Sequence, residues 1–388
     1  MAQDSWRLGE VVGLFLKLGT ISFGGPAAHI ALMEQEAVSQ RGWLSREHFL
    51  DLLAATNLVP GPNAVEMASH IGFIHAGWPG LVAGGVSFTL PAALISLGLA
   101  WLYIRLGTLP QATALFYGIN PAIMAIILIA TYRLGRTALK DRRAIALSLI
   151  CLAASLLGTN EVLVLLAAGV IGILLYAPPR LPGRLRSLRS MQVWLLPGVG
   201  LSAGLLATSP SWLDERLLRL GLFFLKVGTL LFGSGMVLFA FIQRDVVTRY
   251  GWLTQQQLLD AIAVGQMTPG PVLSSATFIG YLLAGLPGAL VSTAAVFSPS
   301  FLIIALVGPW ISRLRRAPAA QAFLRGVNAA VVALILAVAV ALFRAAVVDG
   351  WTAAILLAGL GVLLKFRLDT VWLVLGGAVC GLAHHLAT

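Results

Sequence analysis

The sequence predicts an all-α polytopic membrane protein built from two related halves, and three observations predict it. Of the residues, 59% are hydrophobic and only 11% charged, where a soluble chain uses about 25% charged residues to cover its surface. A Pro-Gly-Pro break set in an apolar segment, T-N-L-V-P-G-P-N at 56–63, returns in a second apolar segment as G-Q-M-T-P-G-P-V at 265–272. The basic residues gather in short clusters between apolar runs, as they do in the loops of membrane proteins. That clustering also disposes of the nucleic-acid partner that a net charge of +11 would otherwise suggest.

Taken in order, the first apolar run covers residues 8–33 and contains Lys17 and Gly24-Gly25-Pro26. It is too long for a signal peptide and is expected to stay as a span. A polar loop with Glu34, Glu36, Arg41 and Arg46 follows. Residues 48–74 form one mostly apolar segment broken at Pro60-Gly61-Pro62, and further runs cover 76–103, 112–132, 144–157 and 162–176. Residues 178–189 read as a basic, proline-containing linker, and 193–208 as a short apolar run. The second half offers runs at 217–242, 258–283, 288–310, 322–343, 351–364 and 371–386. The expected organisation is a first repeat at 1–177, a linker with the short apolar segment at 178–213, and a second repeat at 214–388.

The halves repeat at a fixed register. Lys17 and Lys226, Phe23-Gly24 and Phe232-Gly233, Glu36 and Asp245, Trp43 and Trp252, Asp51 and Asp260, and both Pro-Gly-Pro breaks share an offset of 209. One residue is then lost, and Ile71-Gly72 matches Ile279-Gly280, Pro79-Gly80 matches Pro287-Gly288, and Gly118-x-Asn120 matches Gly326-x-Asn328. Equivalent loops carry opposite basic bias. Arg105 alone stands against Arg313, Arg315 and Arg316, whereas Arg133, Arg136, Lys140, Arg142 and Arg143 stand against Arg344 alone. Loops of opposite bias belong on opposite sides of a membrane, so the repeats are expected to be inverted in topology. The span count is about 10 if the broken segments are re-entrant and about 13 if they and residues 193–208 cross.

The breaks are the expected substrate site. Proline removes a backbone donor and its neighbours leave the helical region, and in a bilayer such a break survives only inside protein or beside a wet cavity. Paired breaks in two halves mark the binding site of a secondary transporter. A helix restarting at Asn63 or Val272 would present free amides and a positive dipole end to an anion. The candidate ligands are therefore Asn57, Pro60, Gly61, Pro62 and Asn63 in the first half, and Gln266, Thr268, Pro269, Gly270 and Pro271 in the second. Thr56 could add a side-chain hydrogen bond. Lys17 and Lys226 lie inside apolar runs, where a charge is either functional, here as a substrate-binding group that neutralises the anion, or snorkels to an interface. Gly24, Gly25 and Ser234 permit close approach or local unwinding. Glu66, which Ser275 replaces in the second half, is the candidate for coupling transport to protons. Glu36 and Asp245, with Arg41 and Arg244 beside them, are expected to form ion pairs. Cys151 and Cys380 are packing residues, His29, His70 and His75 have no metal-site spacing, and no enzyme motif or cofactor site can be assembled.

The motifs F-G-G-P at 23–26, R-G-W-L at 41–44 and P-G-P at 60–62, with F-G-S-G at 232–235, Y-G-W-L at 250–253 and Q-M-T-P-G-P at 266–271, resemble those of the chromate ion transporter family in its long, two-repeat form. The resemblance implies a multi-pass protein of the cell membrane that carries an oxyanion such as chromate, conferring resistance by efflux, with sulfate as a structural look-alike. Its partners would be the oxyanion and the bilayer, with a homodimer as the assembly to test. This chain departs from symmetry at Gly233-Ser234-Gly235, where the first half has Gly-Gly-Pro, so the two breaks need not contribute equally. A membrane protein without transport activity, such as a lipid-modifying enzyme or a scaffold, and a cation-coupled carrier of another solute are the alternatives the residues leave open.

Overall fold

A computed structural model describes residues 2–56, 59–106, 109–177, 215–232, 235–307, 317–366 and 368–387. The expected linker at 178–189, the apolar run at 193–208 and the arginines 313, 315 and 316 lie outside the described residues, as do Asn57 and Ser234. Within them the chain is helical throughout. The first half forms α1 (Ala2–Ile21), α2 (Pro26–Met33), α3 (Arg46–Thr56), α4 (Asn63–Leu106), α5 (Pro110–Ala138), α6 (Arg142–Leu156) and α7 (Glu161–Tyr176). The second half forms α8 (Glu215–Leu230), α9 (Val237–Phe241), α10 (Gln255–Met267), α11 (Ser275–Val307), α12 (Pro318–Ala346), α13 (Gly350–Lys365) and α14 (Thr370–Ala387). Each element of one half has its counterpart in the other.

The first apolar run is not one helix. It stops at Ile21 and resumes at Pro26, because Gly24 and Gly25 take φ of 98° and 80°, a conformation closed to other residues without strain. The polar stretch after it is also not a loop. α2 runs on into a π-helix at Glu34–Gln40, and α9 runs on into its counterpart at Ile242–Arg249.

α4 and α11 fold back on themselves. Gly77 and Gly285 take φ of 64° and 61°, at the junctions where the sequence separates its apolar runs. Past each turn the arms approach so closely that a Cβ on Gly72 would strike the carbonyl of Gly80, and one on Gly280 that of Gly288. The repeated Gly72/Gly80 and Gly280/Gly288 pairs are thus the contact surfaces of two helical hairpins. The longer arm of α4, residues 78–106, runs about 44 Å and can cross the ~30 Å hydrocarbon core; the shorter, residues 63–75, reaches only about 20 Å.

The ends of each half pack on the other. α6 and α7 lie on α12, α13 and α14 lie on α5, and α4 meets α11. Small residues permit this: a Cβ on Gly118 would meet the backbone of Gly377 and Gly381, and one on Gly326 that of Ala168 and Gly172. Close small-residue contacts of this kind replace the hydrophobic driving force that lipid does not supply. Repeat-paired aspartates cap the exchanged helices: Asp141 accepts from the amide of Ala144 and Asp349 from that of Thr352, each at 2.8 Å. The Thr352 amide and the Tyr117 hydroxyl hold the Asp349 carboxyl well below the usual carboxylate range.

Five helical stretches among the described residues are long and apolar enough to cross a membrane. With no strand among them, the chain is an all-α, multi-pass membrane protein.

Candidate substrate site at the second helix break

The second Pro-Gly-Pro segment is buried throughout, and the first is buried at Gly61 and Pro62 with Pro60 half-buried, which is what irregular backbone at membrane depth requires. Each is tied to the opposite half. The amide of Gly61 donates to the carbonyl of Leu231 at 2.7 Å, and that of Gly270 to the carbonyl of Ser22 at 2.9 Å. Residues 22 and 231 are themselves repeat mates, so the two bonds are equivalent. Each break thereby satisfies a carbonyl left over where the first helix of the other half ends.

A small polar cavity opens beside the second of these junctions. Ser22, Gly24, Gly25 and His29 line it from the first half, and Gly265, Gln266, Thr268, Gly270, Val272 and Thr370 from the second. It has room for about one water molecule. Three of its buried side-chain atoms have no hydrogen-bond partner: Ser22 Oγ, His29 Nδ1 and Gln266 Nε2. A buried polar atom without a partner is costly, and three around one space mark a place where a polar ligand completes the bonding. The His29 ring faces a carbonyl through Nε2, 3.2 Å from Ser22 O, so that nitrogen is the donor and Nδ1 is left as an acceptor, which a water or hydroxyl satisfies and an anion's oxygen does not. Its ring also packs edge-on against Phe88.

Three helix starts border the cavity. Gly25 is the residue before α2, Thr370 is the first residue of α14, and Val272 begins the short 3₁₀ turn that leads into α11. Helix starts carry unpaired amides and a positive dipole end, which favour an anion. The Thr268 hydroxyl is already engaged, with Gly265 O at 3.3 Å and Ser274 Oγ at 3.0 Å. Asp369 stands at the rim, its carboxylate against Gly24.

The structure thus gathers Gly24, Gly25, Gln266, Thr268 and Gly270 around one space, with Pro269 and Pro271 forming the break itself. Ser22, His29 and Thr370 join them without any sequence signal to mark them. The candidates of the first break, Pro60, Gly61, Pro62 and Asn63, lie at the equivalent junction, where Thr56 is buried and donates to Leu53 O at 3.0 Å.

The lysines stand elsewhere. Lys17 Nζ is 2.5 Å from Glu36 Oε1 and Lys226 Nζ is 2.6 Å from Asp245 Oδ2. Each acid is presented by the π-helix of its half, and Arg41 adds a second contact to Glu36 at 3.6 Å. Arg244 pairs with Glu161 at 3.3 Å rather than with Asp245. Both cysteines are free, and no group of metal-binding side chains occurs among the described residues.

Two halves of broken helices interlocked through their breaks, with a polar cavity at the junction, define a membrane transport protein rather than an enzyme. The profile of the chromate transporter family matches residues 9–173 and again 218–382. The chain belongs to the chromate transporter family, in its two-repeat form. It is 37% identical over 385 residues to a chromate transport protein of Cupriavidus metallidurans, covering 98% of this chain and 94% of that one. A probable chromate transport protein of Synechococcus elongatus is 33% identical over 350 residues, 89% of this chain and 87% of the relative. A chromate transport protein of Pseudomonas aeruginosa is 33% identical over 330 residues, 84% and 79% of the two chains. No solved structure gives a significant match.

Proposed function

We propose that the protein carries a tetrahedral oxyanion of the chromate class across the cell membrane, with efflux as the direction and the anion held at the second break. The observation that carries this is the Gln266 side chain, buried at the cavity with its Nε2 donor unpartnered beside the equally unpartnered Ser22 hydroxyl. Neutral donors and helix starts suit an oxyanion, whose oxygens only accept. The names of the relatives point to the same substrate class. Sulfate shares the charge and shape and is expected to compete.

The cavity is water-sized, so this is a closed form, and an oxyanion enters when the halves part. The equivalent bonds Gly61–Leu231 and Gly270–Ser22 support two repeats rocking about their shared breaks, and the opposite basic bias of their loops supports inversion. Reconstitution tests the reading. Liposomes containing the purified protein should accumulate labelled chromate, and unlabelled sulfate should slow it; protein-containing liposomes that take up no more than empty ones would sink the proposal. Light scattering of the purified protein in detergent settles whether it is a homodimer.

A further inference from the structure

The two breaks are not chemically equal, and the difference is concentrated at two repeat-paired positions. Beside Gly270 stands Ala92, and one turn past that break is Ser275, whose hydroxyl donates to Val272 O at 2.9 Å. At the first break the equivalent positions hold Ser300 and Glu66. Both press against Gly61, where a Cβ would collide with Glu66 Oε1 and Ser300 Oγ. Glu66 is 0% exposed, and neither of its carboxyl oxygens has a hydrogen-bond partner; the Ser300 hydroxyl is equally buried and unpartnered.

We propose that Glu66 and Ser300 form a proton-carrying site, separate from the anion cavity, whose occupancy decides whether the first break stays closed. An ionised carboxylate with no donor and no water is poorly tolerated at membrane depth. A neutral carboxyl is tolerated, and Ser300 can both accept its proton and donate to its carbonyl. Of the elements packed around this arm of α4, α11 carries no acid, base or histidine and α2 only His29, while α3 carries Arg46, Glu47, His48 and Asp51. Glu10 and Lys17 of α1 are engaged by His75 and Glu36, and Asp260 of α10 by Tyr103 and Gln256. His70, one turn along α4, is the nearest titratable residue on its own helix. When Glu66 releases its proton to water, the remaining charge lies directly beneath Gly61. Relief requires water to enter or the break to move, and the Gly61–Leu231 bond is the link to the opposite half that this movement strains. Proton release and relative motion of the halves are thereby one event.

The site can be tested without any substrate. Infrared spectra of the purified full chain at neutral pH should contain a carboxylic-acid C=O band that Glu66→Gln removes and Ser300→Ala shifts. A Glu66→Gln spectrum identical to wild type, or a band that disappears with added sodium rather than with rising pH, would overturn the proposal. A second test rests on the oxyanion reading. In liposomes Glu66→Gln should lose chromate accumulation driven by a pH gradient by about tenfold or more, yet retain chromate exchange at equal pH, with Glu66→Asp intermediate. Gradient-driven accumulation unchanged in Glu66→Gln also counts against the proton site. If wild type moves no chromate at all, the oxyanion reading fails, and the infrared result still decides the proton site.

Discussion

The amide of Gly270 donates to the carbonyl of Ser22 across 2.9 Å, joining the second half's break to the end of the first half's leading helix. Its mirror image joins Gly61 to Leu231 at 2.7 Å. Each bond contributes only about 0.5–1.5 kcal/mol net. They are nevertheless the places where irregular backbone of one half is satisfied by the other, so any motion of the halves must exchange these bonds for water or substrate.

Alanine at the two break glycines should therefore act unequally. Gly61 has φ of 153° and no room, since the added methyl meets the Glu66 carboxyl and Ser300. Gly270 has φ of 86°, and its nearest neighbour is the Ala92 methyl at 3.3 Å. Backbone strain costs about 1–2 kcal/mol in either case, and overpacking adds about 1–3 at Gly61. Thermal unfolding in detergent should show Gly61→Ala clearly less stable than Gly270→Ala. Equal midpoints would mean the first break is looser than described.

Gln266 separates binding from folding. Its Nε2 is buried without a partner, so Gln266→Leu removes an unmet donor and should leave stability unchanged or raised. The same change removes a ligand of the anion, and the chromate affinity of the purified protein should fall by about tenfold or more, the equivalent of about 1.4 kcal/mol. A variant that is destabilised but binds normally would make Gln266 a structural residue.

Much of this architecture was legible before any coordinates, because its determinants are local. Pro60-Gly61-Pro62 and Pro269-Gly270-Pro271 announce their breaks through proline's missing donor, and the repeat register announces that the breaks are equivalent. The Gly72 and Gly80 pair was visible as a repeated motif but not as a hairpin, since its meaning depends on φ at Gly77. Two things were beyond reach. The cavity joins Ser22 and His29 to Gln266 and Thr370, residues brought together only by the packing of one half on the other. The lysines look unpaired in an apolar run, yet Glu36 and Asp245 reach them from 19 residues away because π-helical winding replaces the expected loop.

Those pairs set up a third prediction. Glu36 is 10% exposed and keeps Arg41 if Lys17 is lost, whereas Asp245 is 4% exposed and its neighbour Arg244 is committed to Glu161. Lys226→Met should therefore cost about 1–2 kcal/mol and Lys17→Met less than about 1, both lysines being partly exposed. Unfolding midpoints check the order. Chromate affinity should stay within about twofold, since neither ammonium borders the cavity; a hundredfold loss at unchanged stability would bring the lysines into the binding site.

The last prediction concerns orientation. Lys140 and Val348 are repeat mates, each one residue before a capping aspartate, Asp141 or Asp349, and both are exposed. In an inverted pair these two turns face opposite sides of the membrane, in line with the cluster from Arg133 to Arg143 on one and Arg344 alone on the other. The exchange of α6 and α7 onto α12, and of α13 and α14 onto α5, is the packing expected of a two-fold relation between the halves, and the loop charges predict that its axis lies in the membrane plane. Single cysteines at Lys140 and Val348, in a chain whose Cys151 and Cys380 are replaced by alanine, report the sides directly. In intact cells an impermeant maleimide should label Val348→Cys and spare Lys140→Cys, because the basic turn belongs inside. Labelling should become equal once the cells are opened. If both are labelled, or both spared, in intact cells, the halves share one orientation, and the equivalent Gly61–Leu231 and Gly270–Ser22 bonds relate them by an axis along the membrane normal instead.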